Sequence, residues 1–460
     1  MRRFASVASG LFAVFSACGD DGGVRKLPDA PSADGPVDTP PAVTTVNIQA
    51  YARYYEPLAA MTPREGARVF AVSSSNTVVA TAMTGPDGKA SVELPDGGSI
   101  TIAYPDVDEG GLYLRSWVTT YMGVKPGDTL TVGDSFDDRW GDSAGSETIQ
   151  WPALANATGY YLYSPCDWYG SYYSPSTVSV TVDLRDTCLS GPIVLVGYQD
   201  GNIIGSIYVP TATHANNAVH DLATQGWTTQ ANMPNFVSVV TGLPASAEVS
   251  WLGARANYGR WSTSQITTDV AVENGMASAM SSVANTAPRK TAVARVFREN
   301  FAGRQHFAAT GTSPVSIAAG TLPMFESFPT VDEAARKVTW PMPVGTYDHA
   351  IAQFYWSYLD GDNTRRLTWN VILPPGVTEL DASTVPPSLQ QFVPPATDFR
   401  LTNVRVVDLA SATSYDAARV LPEWQLSYPV ESVHTGAHAA AAYADGGEGS
   451  NVWEPYNVPY

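Results

Sequence analysis

The chain has 460 residues, enough for roughly three domains of about 150 residues, each with a core of its own. Charged residues are 15% of it, and 44 acids against 26 bases leave a net charge of −18. That balance excludes a general affinity for nucleic-acid phosphates. An apolar content of 44% excludes a wholly disordered chain, and three cysteines exclude a disulfide-dense scaffold.

Arg2 and Arg3 open the chain with positive charge, and an apolar run follows from Phe4 to Ala17. The run is too short for a comfortable bilayer span, which needs about 20 apolar residues, and it has the length of a secretory h-region. It ends in Phe15-Ser16-Ala17-Cys18. Small residues before a cysteine at that place resemble a bacterial lipobox, although Phe15 stands where leucine is usual. The resemblance implies cleavage before Cys18 and a lipid on its sulfur, so the membrane is an expected partner. Residues 19–43 are 14 of 25 Asp, Pro or Gly, with no aromatic. Such composition cannot bury enough apolar surface to offset chain entropy, and it predicts a disordered tether. The expected location is the cell envelope, with the outer membrane or cell surface favoured over the inner membrane.

Alternating runs begin at residue 44. Residues 44–132 contain several short strand patterns divided by Ser73-Ser74-Ser75-Asn76, Gly85-Pro86-Asp87-Gly88 and Asp96-Gly97-Gly98. The stretch from Gly66 to Tyr104 resembles carboxypeptidase regulatory-like (transthyretin-like) domains, with Thr84, Asp87, Gly88 and Gly98 at the matching positions. The resemblance implies a small non-catalytic β-sandwich. A peptidase domain, with its zinc-binding His-Glu pair, has no visible counterpart.

Residues 146–226 resemble a fibronectin type III-like domain, with Trp151, Pro152, Ala157 and Tyr161 matching. Residues 235–326 read as a β-rich domain, in which the Ala- and Met-containing stretch from Thr267 to Ser282 is expected to form a short helix. Residues 328–434 read as a further sandwich-like domain, and 435–460 as a loosely ordered tail. The Trp-Pro pairs at Trp151 and Trp340 each follow a short strand pattern and suggest an internal repeat. The fold class expected is therefore all-β: tandem β-sandwich (Ig-like or transthyretin-like) domains after a tether.

Cys166 and Cys188 are the two thiols left once Cys18 carries lipid, and an oxidising compartment favours their pairing. Gly141-Asp142-Ser143-Ala144-Gly145 satisfies the G-x-S-x-G pattern. A nucleophile elbow needs a strand before the serine and a helix after it. Here an acidic loop precedes and a strand pattern follows, so a surface ester hydrolase using Ser143 is the weakest reading and no catalytic residue is assigned.

No metal site is assigned from the six histidines. His214 and His220 lie in polar sequence and read as solvent-exposed. His434 and His438 are four apart, with Gly436 between them. Calcium is a remote option at acidic loops holding Asp106 and Asp108, or Asp360 and Asp362, none with EF-hand spacing. Seven aromatics fall between Tyr160 and Tyr173. Trp168, Tyr169, Tyr172 and Tyr173 are the candidate ligand-binding rings, since exposed Trp and Tyr suit sugar rings and protein hot spots. The function expected is a lipid-anchored envelope protein with a non-catalytic binding or structural role toward an unidentified protein or glycan; a carbohydrate-binding surface adhesin is the alternative.

Overall fold

The computed structural model describes residues 44–51, 63–95, 97–104, 107–108, 113–133, 143–164, 171–185, 189–233, 235–243, 246–258, 261–283, 287–298, 304–319, 323–360, 363–427 and 438–445. Cys18 and the tether lie outside them.

The first group of strands comprises β1 (Thr45–Tyr51), β2 (Arg68–Val72), β3 (Val78–Met83), β4 (Lys89–Glu93), β5 (Gly98–Ala103), β6 (Val107–Asp108), β7 (Tyr113–Val124) and β8 (Thr129–Gly133). The second comprises β9 (Ser143–Gln150), β10 (Gly159–Tyr163), β11 (Ser171–Tyr173), β12 (Ser179–Arg185), β13 (Ser190–Gln199), β14 (Asn202–Thr213), β15 (Val219–Asp221) and β16 (Thr228–Thr229). The third holds β17 (Asn235–Thr241), β18 (Ala247–Tyr258), β19 (Trp261–Val270), β20 (Met276–Ser282), β21 (Arg289–Arg298), β22 (Arg304–Thr310) and β23 (Val315–Ala318). The fourth holds β24 (Thr330–Asp332), β25 (Lys337–Thr339), β26 (His349–Asp360), β27 (Asn363–Leu373), β28 (Glu379–Asp381), β29 (Leu401–Leu409) and β30 (His438–Asp445), with short helices α1 (Tyr415–Ala418) and α2 (Glu423–Ser427) before its last strand.

The first three groups repeat one topology. The opening strand is the centre of a three-stranded sheet, antiparallel to one neighbour and parallel to a strand that closes the sandwich: β4-β1-β8, β12-β9-β15 and β20-β17-β23. The facing sheet is made of two hairpins: β3-β2-β5-β7, β11-β10-β13-β14 and β19-β18-β21-β22. In the second group β16 adds a further strand beside β14. The fourth group faces β27-β26-β29-β30 with an all-antiparallel β24-β25-β28. Alternation builds each interior: on β1, Val46, Ile48 and Ala50 turn inward to meet Val69 of β2 and Ile100 of β5. Each sandwich has such a core, and the protein is all-β with tandem β-sandwiches.

The facing sheets of groups three, four and one join edge to edge. β22 pairs with β30, and β27 pairs in parallel with β7, so one sheet runs β19-β18-β21-β22-β30-β29-β26-β27-β7-β5-β2-β3. Four of the six edges that three separate facing sheets would expose are thereby paired, and β19 and β3 end the joined sheet.

Two expectations change. Thr267 to Ser282 is not helical: β19 and β20 flank Glu273-Asn274-Gly275-Met276, in which Asn274 and Gly275 have φ of 52° and 75° and Glu273 and Met276 exchange backbone hydrogen bonds. Asn-Gly with both φ positive is a type I′ turn, closed by the single Glu273–Met276 bridge where the chain crosses from β19 in one sheet to β20 in the other, and Ala277, Ala279 and Ser281 bury in strict alternation. Period 2 and the turn override the helix propensity of Ala and Met. The second change concerns the tail, whose residues 438–445 form β30 with a partner strand on each side. Among the described residues, no helix is long and apolar enough to cross a membrane.

Candidate functional site

In the second sandwich β9 alternates, turning Glu147 and Ile149 inward, with the buried Trp151 just beyond its end. A carboxylate on that face needs compensation, because an isolated buried charge is costly. Two histidines supply it. His214 follows the end of β14, and His220 lies on β15, which runs parallel to β9 with His220 opposite Ile149. The Nδ1 of His214 is 2.7 Å from Oε1 of Glu147, and the Nε2 of His220 is 3.0 Å from Oε2. Each carboxylate oxygen therefore has its own imidazole.

Glu147 is 1% exposed and His214 2%, while the His220 side chain keeps 16%. His214 is thus not the exposed loop histidine expected from its polar neighbours. The backbone holds the cluster: His214 N–H donates to the Leu189 carbonyl, Asn217 N–H donates to Ser146, and Thr148 N–H donates to Ala218. Asn216 Oδ1 also accepts from Ser146 N–H at 3.1 Å. The far ring nitrogen of His214, Nε2, faces the Gly191 carbonyl at 3.4 Å. Glu147, His214 and His220 each offer an atom that could ligate a metal, all within 4.8 Å of one another. A signal for the cluster was present in the sequence: on a period-2 strand, Glu147 shares a face with Ile149 and must find a buried partner.

The aromatic run divides between two faces, as alternation requires. Tyr160 is fully buried, edge-on to Trp151 at 5.7 Å and stacked on Trp227 at 5.8 Å. Tyr173 packs on the same face, 6.0 Å from Trp151. It is half-buried, one face resting on the interior. On the outer face Tyr161 meets Tyr163, Tyr172 and Tyr198. This face packs against the third sandwich, where Tyr208 of β14 meets Tyr258 of β18 at 5.1 Å. Burial, reinforced by Tyr163 and Tyr161, pushes the Tyr198 hydroxyl far above the usual phenol range. Tyr172 is 57% exposed, with its hydroxyl donating to the Thr158 carbonyl at 3.0 Å.

Trp168, Tyr169, Cys166, Cys188, Asp106 and Asp362 lie outside the described residues, and for Asp108 and Asp360 only the backbone is described. Asp108 sits in β6, and Asp360 pairs with Asn363 across the β26–β27 turn. Ser143 begins β9, opposite Arg185, so a strand follows it where an elbow needs a helix. His438 lies in β30 opposite Ala309, and His434 lies outside the described residues.

No protein-family model matches the chain, and no curated protein matches it. Solved structures give distant likenesses. The Bacillus anthracis TIE protein is 12% identical over 60% of this chain and 49% of its own length, with a TM-score of 0.16. A streptococcal ancillary pilin is 10% identical over 60% of this chain and 97% of its own, at 0.16. The fimbrial protein FimP from Actinomyces oris is 9% identical over 56% and 91%, at 0.15. The chain spans about half the length of the first of these.

Proposed function

We propose that this is an exported, lipid-anchored protein of the cell envelope whose tandem β-sandwiches serve a non-catalytic binding or structural role. The observation that carries the reading is the order of the first 43 residues: two arginines, an apolar run, Ser16-Ala17-Cys18, then an Asp/Pro/Gly stretch directly before β1. A tether of about 25 residues could reach roughly 75 Å if fully polyproline-like, enough to hold a folded body clear of a bilayer. The topology of residues 45–133, two facing sheets with the Gly85–Gly88 turn between β3 and β4, supports a carboxypeptidase regulatory-like module at the head of the folded part.

The test is tritiated palmitate labelling of cells expressing the full chain. Label is expected on the parent protein and none on a Cys18→Ser variant. Equal labelling of both, or no label on the parent, would remove the lipid anchor from the reading. Protease shaving of intact cells then locates the folded body: digestion places it outside the cell, and protection places it in the periplasm.

A carbohydrate-binding role is the second reading, supported by the exposed ring of Tyr172. A glycan array with a hit that Tyr172→Ala weakens would support it. A blank array ends it.

A further inference from the structure

We propose that Glu147, His214 and His220 form a binding site for a divalent transition ion of the zinc class, linking the two sheets of the second sandwich. Three observations combine. The donor set is one carboxylate and two imidazoles, a set that suits zinc in tetrahedral coordination with a fourth position left for solvent. The donors converge: each nitrogen facing the carboxylate is already 2.7 Å or 3.0 Å from an oxygen, and the three ligand atoms lie within 4.8 Å of one another. Ligand bonds of about 2.0–2.1 Å at tetrahedral angles separate the ligand atoms by about 3.3 Å. Small rotations of side chains already aimed at one point would meet that geometry.

The third observation is the support behind the ligands. With His214 ligating through Nδ1, its Nε2–H points at the Gly191 carbonyl. Metal-ligating histidines commonly donate their second N–H to a carbonyl or carboxylate in this way, which sets tautomer and ring orientation. Glu147 is held in the central strand, between β12 and β15. The ring centroids of His214 and His220 are 5.2 Å apart and the rings are inclined at 51°, splayed rather than stacked. Imidazole ligates through an unprotonated nitrogen, so the hydrogen bonds to Glu147 and coordination of the ion are alternative uses of the same two nitrogens.

The site joins β9 and β15 of one sheet to the end of β14 in the other. An ion there crosslinks the sandwich, and the partial exposure of His220 gives it a way in. Calcium and magnesium are poor fits, because both prefer oxygen and the cluster supplies two nitrogens.

The experiment uses the full chain, purified without a polyhistidine tag, stripped with EDTA and exchanged into metal-free buffer. Zinc alone is titrated by calorimetry. One ion per chain is expected, with a rise in melting temperature that excess calcium does not reproduce. His220→Gln leaves an amide able to hydrogen-bond Glu147 at a partly exposed position, so the fold should persist by circular dichroism. Zinc binding should weaken by at least about tenfold, the lower end of what even outer-shell changes cost. Cobalt in place of zinc should give the visible bands of a tetrahedral site with nitrogen ligands in the parent protein, a readout independent of any variant. The proposal is overturned by absence of saturable binding in the parent, by cobalt bands absent from the parent, or by zinc affinity unchanged in a folded His220→Gln protein. The first two outcomes would leave a purely hydrogen-bonded cluster, and the third would move the ion to other histidines.

Discussion

His349 is fully buried at the start of β26, with Nε2 3.3 Å from the Leu426 carbonyl. Burial pulls its imidazole down to about 4, opposed in part by the Leu426 hydrogen bond and aided by the neighbouring Arg405 guanidinium. In the unfolded chain the ring keeps an ordinary value near 6.5. Between those values the unfolded state binds the extra proton, so acid favours unfolding. The stability conferred by a neutral His349 is whole above about pH 6.5 and falls as pH drops toward 4. The whole loss is on the order of 3 kcal/mol for a shift of this size. His349→Gln keeps a donor for Leu426 and cannot titrate. Urea unfolding at several pH values should show a shallower loss between pH 6.5 and pH 4 for the variant than for the parent. Parallel curves would show that His349 does not carry this part of the acid sensitivity. Neither this site nor the buried His214 was legible from local composition. His349 follows Tyr347-Asp348 and His214 stands in a Thr/Asn-rich stretch, and burial at both comes from distant strands.

Among the elements, the segment carrying α1 and α2 fastens the fourth sandwich to the first. Tyr415 donates its hydroxyl to the Met122 carbonyl at 2.6 Å. Arg419 grips Asp128 in the turn before β8 with Nε at 2.7 Å and a second nitrogen at 3.1 Å, and it also pairs with Asp416. Glu423 accepts from the Trp117 indole, the Thr119 hydroxyl and the Gly133 N–H. The side chain of Arg419 is 2% exposed and that of Asp128 12%, so this is a buried ion pair. Removing one partner leaves the other charge poorly solvated, which costs roughly 3–5 kcal/mol in buried pairs. Arg419→Met should lower unfolding free energy by about 3 kcal/mol, allowing for the exposed edge of Asp128. Asp128→Asn in the same chain should recover part of that loss. A loss below about 1 kcal/mol would class the contact with surface ion pairs. In sequence these partners lie about 290 residues apart, and no local pattern signals their meeting. The β19–β20 connection is the opposite case: Asn274-Gly275 announces its turn, and the Ala and Met content around it points to a helix only when that turn is left out.

At the scale of the molecule, the sandwiches were readable and their joining was not, for one physical reason. A strand's inward face is written in side chains, so Val46, Ile48 and Ala50 declare theirs by alternation. The Trp-Pro pairs likewise mark equivalent places. Trp151 and Trp340 are both buried just beyond a central strand, their backbone N–H groups donating to the carbonyls of Val178 and Thr378, the residues before β12 and β28. Edge pairing is made by backbone N–H and C=O groups, which every residue but proline carries alike. The sequence around β22, β30, β27 and β7 therefore does not name its neighbours. The joined sheet makes β30 a keystone, antiparallel to β22 on one side and to β29 on the other. Ala441 lies opposite both His306 and Val407. Proline there removes a ladder donor from a central strand, a change tolerated essentially only at sheet edges. If the shared sheet couples the sandwiches, Ala441→Pro should split one cooperative calorimetric transition into two, the third sandwich melting apart from the fourth and first. The parent should melt these parts together. A single transition in the variant at the parent temperature would show that β30 does not transmit cooperativity, while the β27–β7 pairing and the Arg419 clip still hold the fourth sandwich to the first and Tyr208 on Tyr258 the second to the third.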